Sequence, residues 1–252
     1  MTRLSTRLRR DGTCSFGSAL VLVAALGCTA NTDDQRADAA RGHELYQSKA
    51  LSASALNRFS CATCHDEKTR DPELIKPGAV LAGVTERPSY WGGKEEDLLH
   101  AINDCRAEFM AASAPLGAGE PDADALYAYL ASLSPGDTNA VPFTVVRDIA
   151  DIPRGDATRG APIYDKACKQ CHGLMHTGLG RLDELVPILP DDTLLAHSPP
   201  AYSARTQRLV FIEKTRHGVF LNYGGQMPPF SLEVLPDTEL SDVLEALGVL
   251  GP

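Results

Sequence analysis

Two short stretches of this 252-residue chain repeat one pattern. They are Cys61-Ala62-Thr63-Cys64-His65 and Cys168-Lys169-Gln170-Cys171-His172, 107 residues apart. Residues three apart fall on one side of a helical turn, so each thiol pair can grip two neighbouring points of one flat ligand. The next residue then turns an imidazole nitrogen to that ligand's face. In an exported chain this spacing reads as covalent attachment of c-type haem, with thioethers from the cysteines and the histidine on iron. A zinc ribbon would set its Cys pairs about 15–20 residues apart. Neither a redox dithiol nor a structural disulfide calls for histidine at the next position twice. The expectation is two covalent haem c groups, bound by Cys61, Cys64, Cys168 and Cys171, with His65 and His172 as proximal iron ligands.

The N-terminus supports export. Arg3, Arg7, Arg9 and Arg10 precede an apolar run from Phe16 to Leu26, and small residues follow it. That order is a secretory signal, and the run is shorter than the roughly 20 apolar residues of a spanning helix. Ala25-Leu26-Gly27-Cys28 resembles a bacterial lipoprotein signal, which implies Cys28 as the lipidated first residue of the mature protein. Cleavage near Ala30 is the alternative. Residues 1–27 are thus expected to be a signal peptide and 28–39 a flexible tether. The location is the periplasm, and membrane contact comes only through a lipid anchor. The formal net charge is -9. Removal of everything before Cys28 leaves 20 basic and 32 acidic residues, a net charge near -12. An acidic surface argues against nucleic acid as a partner.

The motifs sit inside a longer repeat. Arg41-Gly42-His43-Glu44-Leu45-Tyr46 matches Arg159-Gly160-Ala161-Pro162-Ile163-Tyr164, Pro88-Ser89-Tyr90 matches Pro200-Ala201-Tyr202, and Pro121-Asp122 matches Pro236-Asp237. Each copy closes on an amphipathic helix. Asp122 is expected to cap one carrying Leu126, Leu130 and Leu133 on one face; Asp237 or Thr238 should cap the other, with Leu240, Val243, Leu244 and Leu247. Neither copy alternates with period two, so the expected class is all-α. The predicted units are residues 40–134 and 156–252, joined by a linker over 135–155 that holds three prolines.

Each half resembles a class I cytochrome c domain: N-terminal helix, attachment motif, loops, middle helix, distal ligand and C-terminal helix. The resemblance implies a helical shell around each haem, which suits an aromatic content of only 6%. It also implies Met227, in Gly224-Gly225-Gln226-Met227-Pro228-Pro229, as the second haem's distal ligand. Met175 lies only three residues after His172, too close to reach the opposite face.

The first haem has two candidate distal ligands. Leu98, Ile102, Cys105 and Phe109 share one face of a predicted helix, and Met110 would point about 100° away from it if the helix continued that far. In the repeat, Cys105 aligns with His217 at an offset of 112. Met110 matches Met227 only through a loop five residues shorter. Met110 is the first choice, Cys105 the second, with His100 or an open site after them. Ile102-Asn103-Asp104-Cys105 followed by Met110 resembles the ligand segment of di-haem thiosulfate dehydrogenases and, more distantly, of SoxA-type cytochromes. Those families imply Cys105 as thiolate ligand and catalytic centre. Where they carry Arg-Ser-Met-Asn-Gly, this chain has Glu108-Phe109-Met110-Ala111-Ala112.

The expected function is single-electron transfer between periplasmic redox proteins. The alternative is an oxidoreductase acting on a small sulfur compound at a Cys105-ligated first haem. His43, His176, His197 and His217 are expected at the surface or behind the ligands, and Glu95-Glu96-Asp97 at a helix N-terminus.

Overall fold

The computed structural model describes residues 32–218 and 226–249. Among these residues the chain is all-α. The helices are α1 (Thr32–Gln47), α2 (Cys61–Cys64), α3 (Leu98–Glu108), α4 (Pro121–Ser132), α5 (Ala157–Ala167), α6 (Lys169–His172), α7 (Asp191–Ala196), α8 (Ala204–His217) and α9 (Asp237–Ala246). The described extended pairing is an isolated bridge between Tyr90 and Glu95. No described helix is long and apolar enough to cross a membrane. The leader, Cys28, Gly224 and Gly225 lie outside the described residues.

Helix α1 starts at Thr32, so residues 32–39 of the expected tether are helical. Their sequence explains this. No glycine or proline interrupts the run before Gly42.

Two helix crossings, α1 on α4 and α5 on α9, hold the two halves of the chain. The repeated Arg-Gly-x-x-x-Tyr segment does the same three things in each. A Cβ on Gly42 would stand 2.0 Å from the Ala125 carbonyl oxygen, and one on Gly160 1.8 Å from that of Asp242. Only glycine lets these backbones approach so closely. Beside each glycine an arginine pairs across the crossing: Arg41 with Asp122, and Arg159 with both oxygens of Asp242 at 2.7 and 2.8 Å. One turn on, the Tyr46 hydroxyl donates to the His65 carbonyl at 2.7 Å and that of Tyr164 to Gly173 at 2.9 Å. Each tyrosine thus fastens an N-terminal helix to its attachment motif.

The expected caps are corrected by the same contacts. Helix α4 is capped by Glu120, with Pro121 in its first turn, and α9 by Pro236. Asp122 and Asp237 lie inside the helices and accept bonds from Arg41 and Arg216. Asp97 does cap α3, accepting from the His100 amide at 2.9 Å.

Residues 135–155 form no helix and run between two buried arginines. Arg87 donates to the Asp137 carbonyl at 3.1 Å. Arg208, 0% exposed, donates to the Asp151 carboxylate at 3.0 Å and to the carbonyls of Ile152, Pro153 and Val249. Removing one partner of a buried pair strands the other charge, at a cost of about 3 kcal/mol. Asp151→Ala is therefore expected to lower the unfolding free energy by that much, read as a fall in the midpoint of urea unfolding.

The halves also meet directly. The Ile75 amide donates to the Lys166 carbonyl at 3.0 Å, Lys166 Nζ to the Pro72 carbonyl at 2.8 Å, and Arg58 pairs with Asp183. These contacts bring α2 alongside α6.

Candidate functional site

Each attachment motif forms one short helical turn. The His65 amide donates to the Cys61 carbonyl and the His172 amide to that of Cys168, both at 2.9 Å. The cysteine pairs therefore face one way, with the histidine at the end of the turn. Burial pushes the Cys61 and Cys171 thiols up to about 11, and those of Cys64 and Cys168 to about 12. Unattached, all four would stay protonated at neutral pH.

Both histidines are oriented alike. His65 Nδ1 lies 2.8 Å from the Ala79 carbonyl, and His172 Nδ1 lies 2.9 Å from that of Pro187. A carbonyl only accepts, so Nδ1 carries the proton and Nε2 keeps its lone pair for a metal. Burial pushes both imidazoles below their ordinary range. Gly78 makes room for the first: a Cβ there would stand 2.5 Å from the His65 ring.

Above each motif lies a cavity, about 210 Å³ at the first and about 60 Å³ at the second. Cys61, Cys64, His65, Cys105 and Met110 line the first; Cys168, Cys171, His172 and Met227 line the second. Sequence reasoning thus named residues that the fold brings to one place in each half. The two cavities share Phe59, Cys64, Pro77 and Pro228 as wall residues.

The distal side of the first cavity differs from the sequence picture. Helix α3 stops at Glu108. The Ala112 amide bonds back to the Arg106 carbonyl at 2.9 Å, with Ala111 left-handed at φ 52°, and this closes the helix end. The turn tucks Met110 inward, 3% exposed, against Phe59, Phe109 and Leu126. Cys105 keeps partial exposure although burial raises its thiol well above its ordinary range. A deep thiol with free surface is one that faces the cavity. His100 is exposed and takes no part.

Helix α8 corrects the register of the repeat. Phe211 and Thr215 line the second cavity, where Leu98 and Ile102 line the first. Cys105 therefore corresponds to Gly218, not to His217. His217 does not face that cavity; it is 3% exposed, with Nδ1 3.6 Å from Glu213. His217 is thus buried rather than at the surface, whereas His176 sits exposed beside Asp191 at 3.1 Å.

Charge separates the two cavities. Among the described residues, Arg70, Arg87 and Arg106 line the first and no carboxylate does, whereas no charged side chain lines the second. Arg87, 8% exposed, donates to the carbonyls of Val80, Ala82 and Asp137 and pairs with no carboxylate among the described residues. Desolvation holds its pKa below the usual value. Arg106, 6% exposed, leaves Nε without a partner. Buried cations without counter-charge call for an anion. A porphyrin carrying two carboxylates meets that need, and with the paired thiols and oriented imidazole the first cavity suits haem c. None of these arginines was foreseen, because nothing in local sequence marks a cation whose partner is a cofactor. The Pro-Gly step at Pro77-Gly78 was the one available hint.

Comparison with known proteins bears on the second half. Residues 155–245 match the family described as Cytochrome C oxidase, cbb3-type, subunit III. The chain is similar to a solved structure titled thiosulfate dehydrogenase (TsdBA) from Marichromatium purpuratum, in its as-isolated form. The identity is 18% and the TM-score 0.40, over 84% of this chain and 46% of that one. This chain thus spans less than half the length of that relative. No curated protein sequence matches it. Residues 155–245 are thus similar to the cytochrome c domain of cbb3-type oxidase subunit III.

Proposed function

We propose that the chain is an exported di-haem c-type cytochrome of two tandem cytochrome c domains, passing single electrons between periplasmic redox proteins. Haem c supplies a one-electron ferric/ferrous couple. The observation that carries this reading is the shared wall. Cys64 borders both cavities, Gln170 Nε2 reaches the Thr63 carbonyl at 3.5 Å, and the Cys64 thiol is raised in part by Cys171. The residues that would anchor two redox groups are therefore packed against each other, as internal electron transfer needs. His65 and His172 act as proximal ligands, Met227 as the distal ligand of the second group, and Cys28 as the lipid site or a residue near ordinary cleavage. The test is a spectroelectrochemical titration of the exported protein. Two one-electron steps per chain support the reading; a single step overturns it.

The cation-lined first cavity gives a second expectation. Arg87→Gln removes a positive charge beside the first iron site, which favours the ferric form. The midpoint potential of that step should fall by tens of millivolts while the other stays fixed.

A second reading has one observation in its favour. Cys105 lines the first cavity beside Met110 and is the less buried of the two, which leaves its thiol open to act as the distal ligand. A thiolate there would place a sulfur ligand at a first haem acting on a small sulfur compound such as thiosulfate, with the second haem taking the electrons away. Cys105→Ala should then abolish a low-spin thiolate EPR signal and thiosulfate-dependent reduction. If Met110 is the ligand, Met110→Leu removes a methionine-to-iron near-infrared band and Cys105→Ala changes neither signal.

A further inference from the structure

The first cavity is not walled by the first half alone. Val141, Pro142 and Phe143 of the 135–155 segment border it, and so do Pro228, Pro229 and Val234 of the second half. The two stretches are tied to each other. The Thr144 hydroxyl donates to one oxygen of Glu233 at 2.6 Å and the Thr144 amide to the other at 3.1 Å. At one end of this strap, Phe143 stands edge-on to Trp91, with ring centroids 5.4 Å apart. At the other, the Phe230 amide donates to the Thr215 carbonyl at 2.8 Å, and Arg216 donates to the Phe230 carbonyl at 3.0 Å. The prolines at 228 and 229 fix φ, so the span between Met227 and Phe230 moves as a stiff unit.

The first cavity is the roomier of the two by a factor of more than three, although both motifs are built for the same group. The strap forms part of its wall. The tie itself is exposed, one carboxylate holding one threonine, and it can open without disturbing either core.

We propose that the strap formed by Val141–Thr144 and Pro228–Val234, closed by the Thr144–Glu233 tie, gates access of small distal ligands to the first haem site. This rests on the two-haem reading above. The gate makes the second domain a working part of the first site.

The test is the rate of imidazole binding to the oxidised holoprotein, with every variant built on Met227→His. That background fills the second site with its own imidazole, so the added probe reports on the first. Glu233→Ala, which removes both bonds of the tie, is expected to accelerate binding about ten-fold or more, the scale of a charge-assisted hydrogen bond lost. Thr144→Val should accelerate it less, because the amide bond remains, and Thr144→Ser should not change it. The double variant should be no faster than Glu233→Ala alone, since both cut one tie. Arg154→Gln, which cuts the Arg154–Glu245 pair elsewhere on the second half, should leave the rate unchanged. The same rates measured with native Met227 guard against a background that folds poorly. Equal rates in Glu233→Ala and its parent, or equal acceleration by Arg154→Gln, would overturn the gate while leaving two haems per chain. A chain carrying haem only at Cys168–His172 would overturn the two-haem reading and the gate with it.

Discussion

Replacing Cys61 and Cys64 together by alanine is expected to lower the mass of the exported protein by one haem, and replacing Cys168 and Cys171 by one more. The two losses should be independent in haem content and unequal in consequence. The first cavity is wide, bordered by three arginines, and stripped of its haem it would leave Arg87 and Arg106 buried without counter-charge. Each such cation costs several kcal/mol, so the Cys61/Cys64 variant should fold poorly or lose solubility. The second cavity is narrow and has no charged lining among the described residues. The Cys168/Cys171 variant should keep its first haem and its solubility, with a loosened core around Phe211 and Leu244. Mass spectrometry of the intact protein and haem absorbance per chain measure both. Retention of two haems in either variant would contradict the assignment.

The second large effect is expected at a helix crossing. Gly160→Ala gains up to about 1 kcal/mol of helix propensity. Against that, the new methyl would stand 1.8 Å from the Asp242 carbonyl oxygen, far inside contact distance. Helix α5 must move off α9, and Arg159 must give up its two bonds to Asp242. Overpacking of this kind costs about 3 kcal/mol, so the clash outweighs the propensity. The midpoint of urea unfolding should fall accordingly. The methionine-to-iron band should weaken too, because Tyr164 links the same helix to the segment after His172. Gly42→Ala should behave alike in the first half. An unchanged midpoint in both would mean that the crossings yield without cost.

The repeated Arg-Gly-x-x-x-Tyr was legible as a repeat but not as a mechanism. Sequence alone cannot show that each glycine faces a carbonyl more than 80 residues away, or that Arg41 finds Asp122, the residue expected to cap a helix. The distal ligand of the first site shows the same limit. Helical periodicity put Cys105 on the buried face, and the structure agrees; it put Met110 off that face only on condition that the helix ran on. The left-handed turn at Ala111 broke the condition. The repeat register, one residue out at Cys105, misplaced His217 for a related reason. Identity between copies is strongest at the motifs and weakest along α3 and α8, where packing rather than spacing sets which side faces inward.

Local chemistry was what the sequence by itself determined. Two thiols and an imidazole at one fixed spacing form a helical turn in each half, and apolar periodicity is enough to call for helices. Tertiary structure alone decided the surroundings: which backbone carbonyls orient His65 and His172, which arginines border the first cavity, and that the second half helps to wall the first. Those relations join residues far apart along the chain. Their energy comes from burial and from the pairing of desolvated charge, and neither exists until the chain has closed on itself.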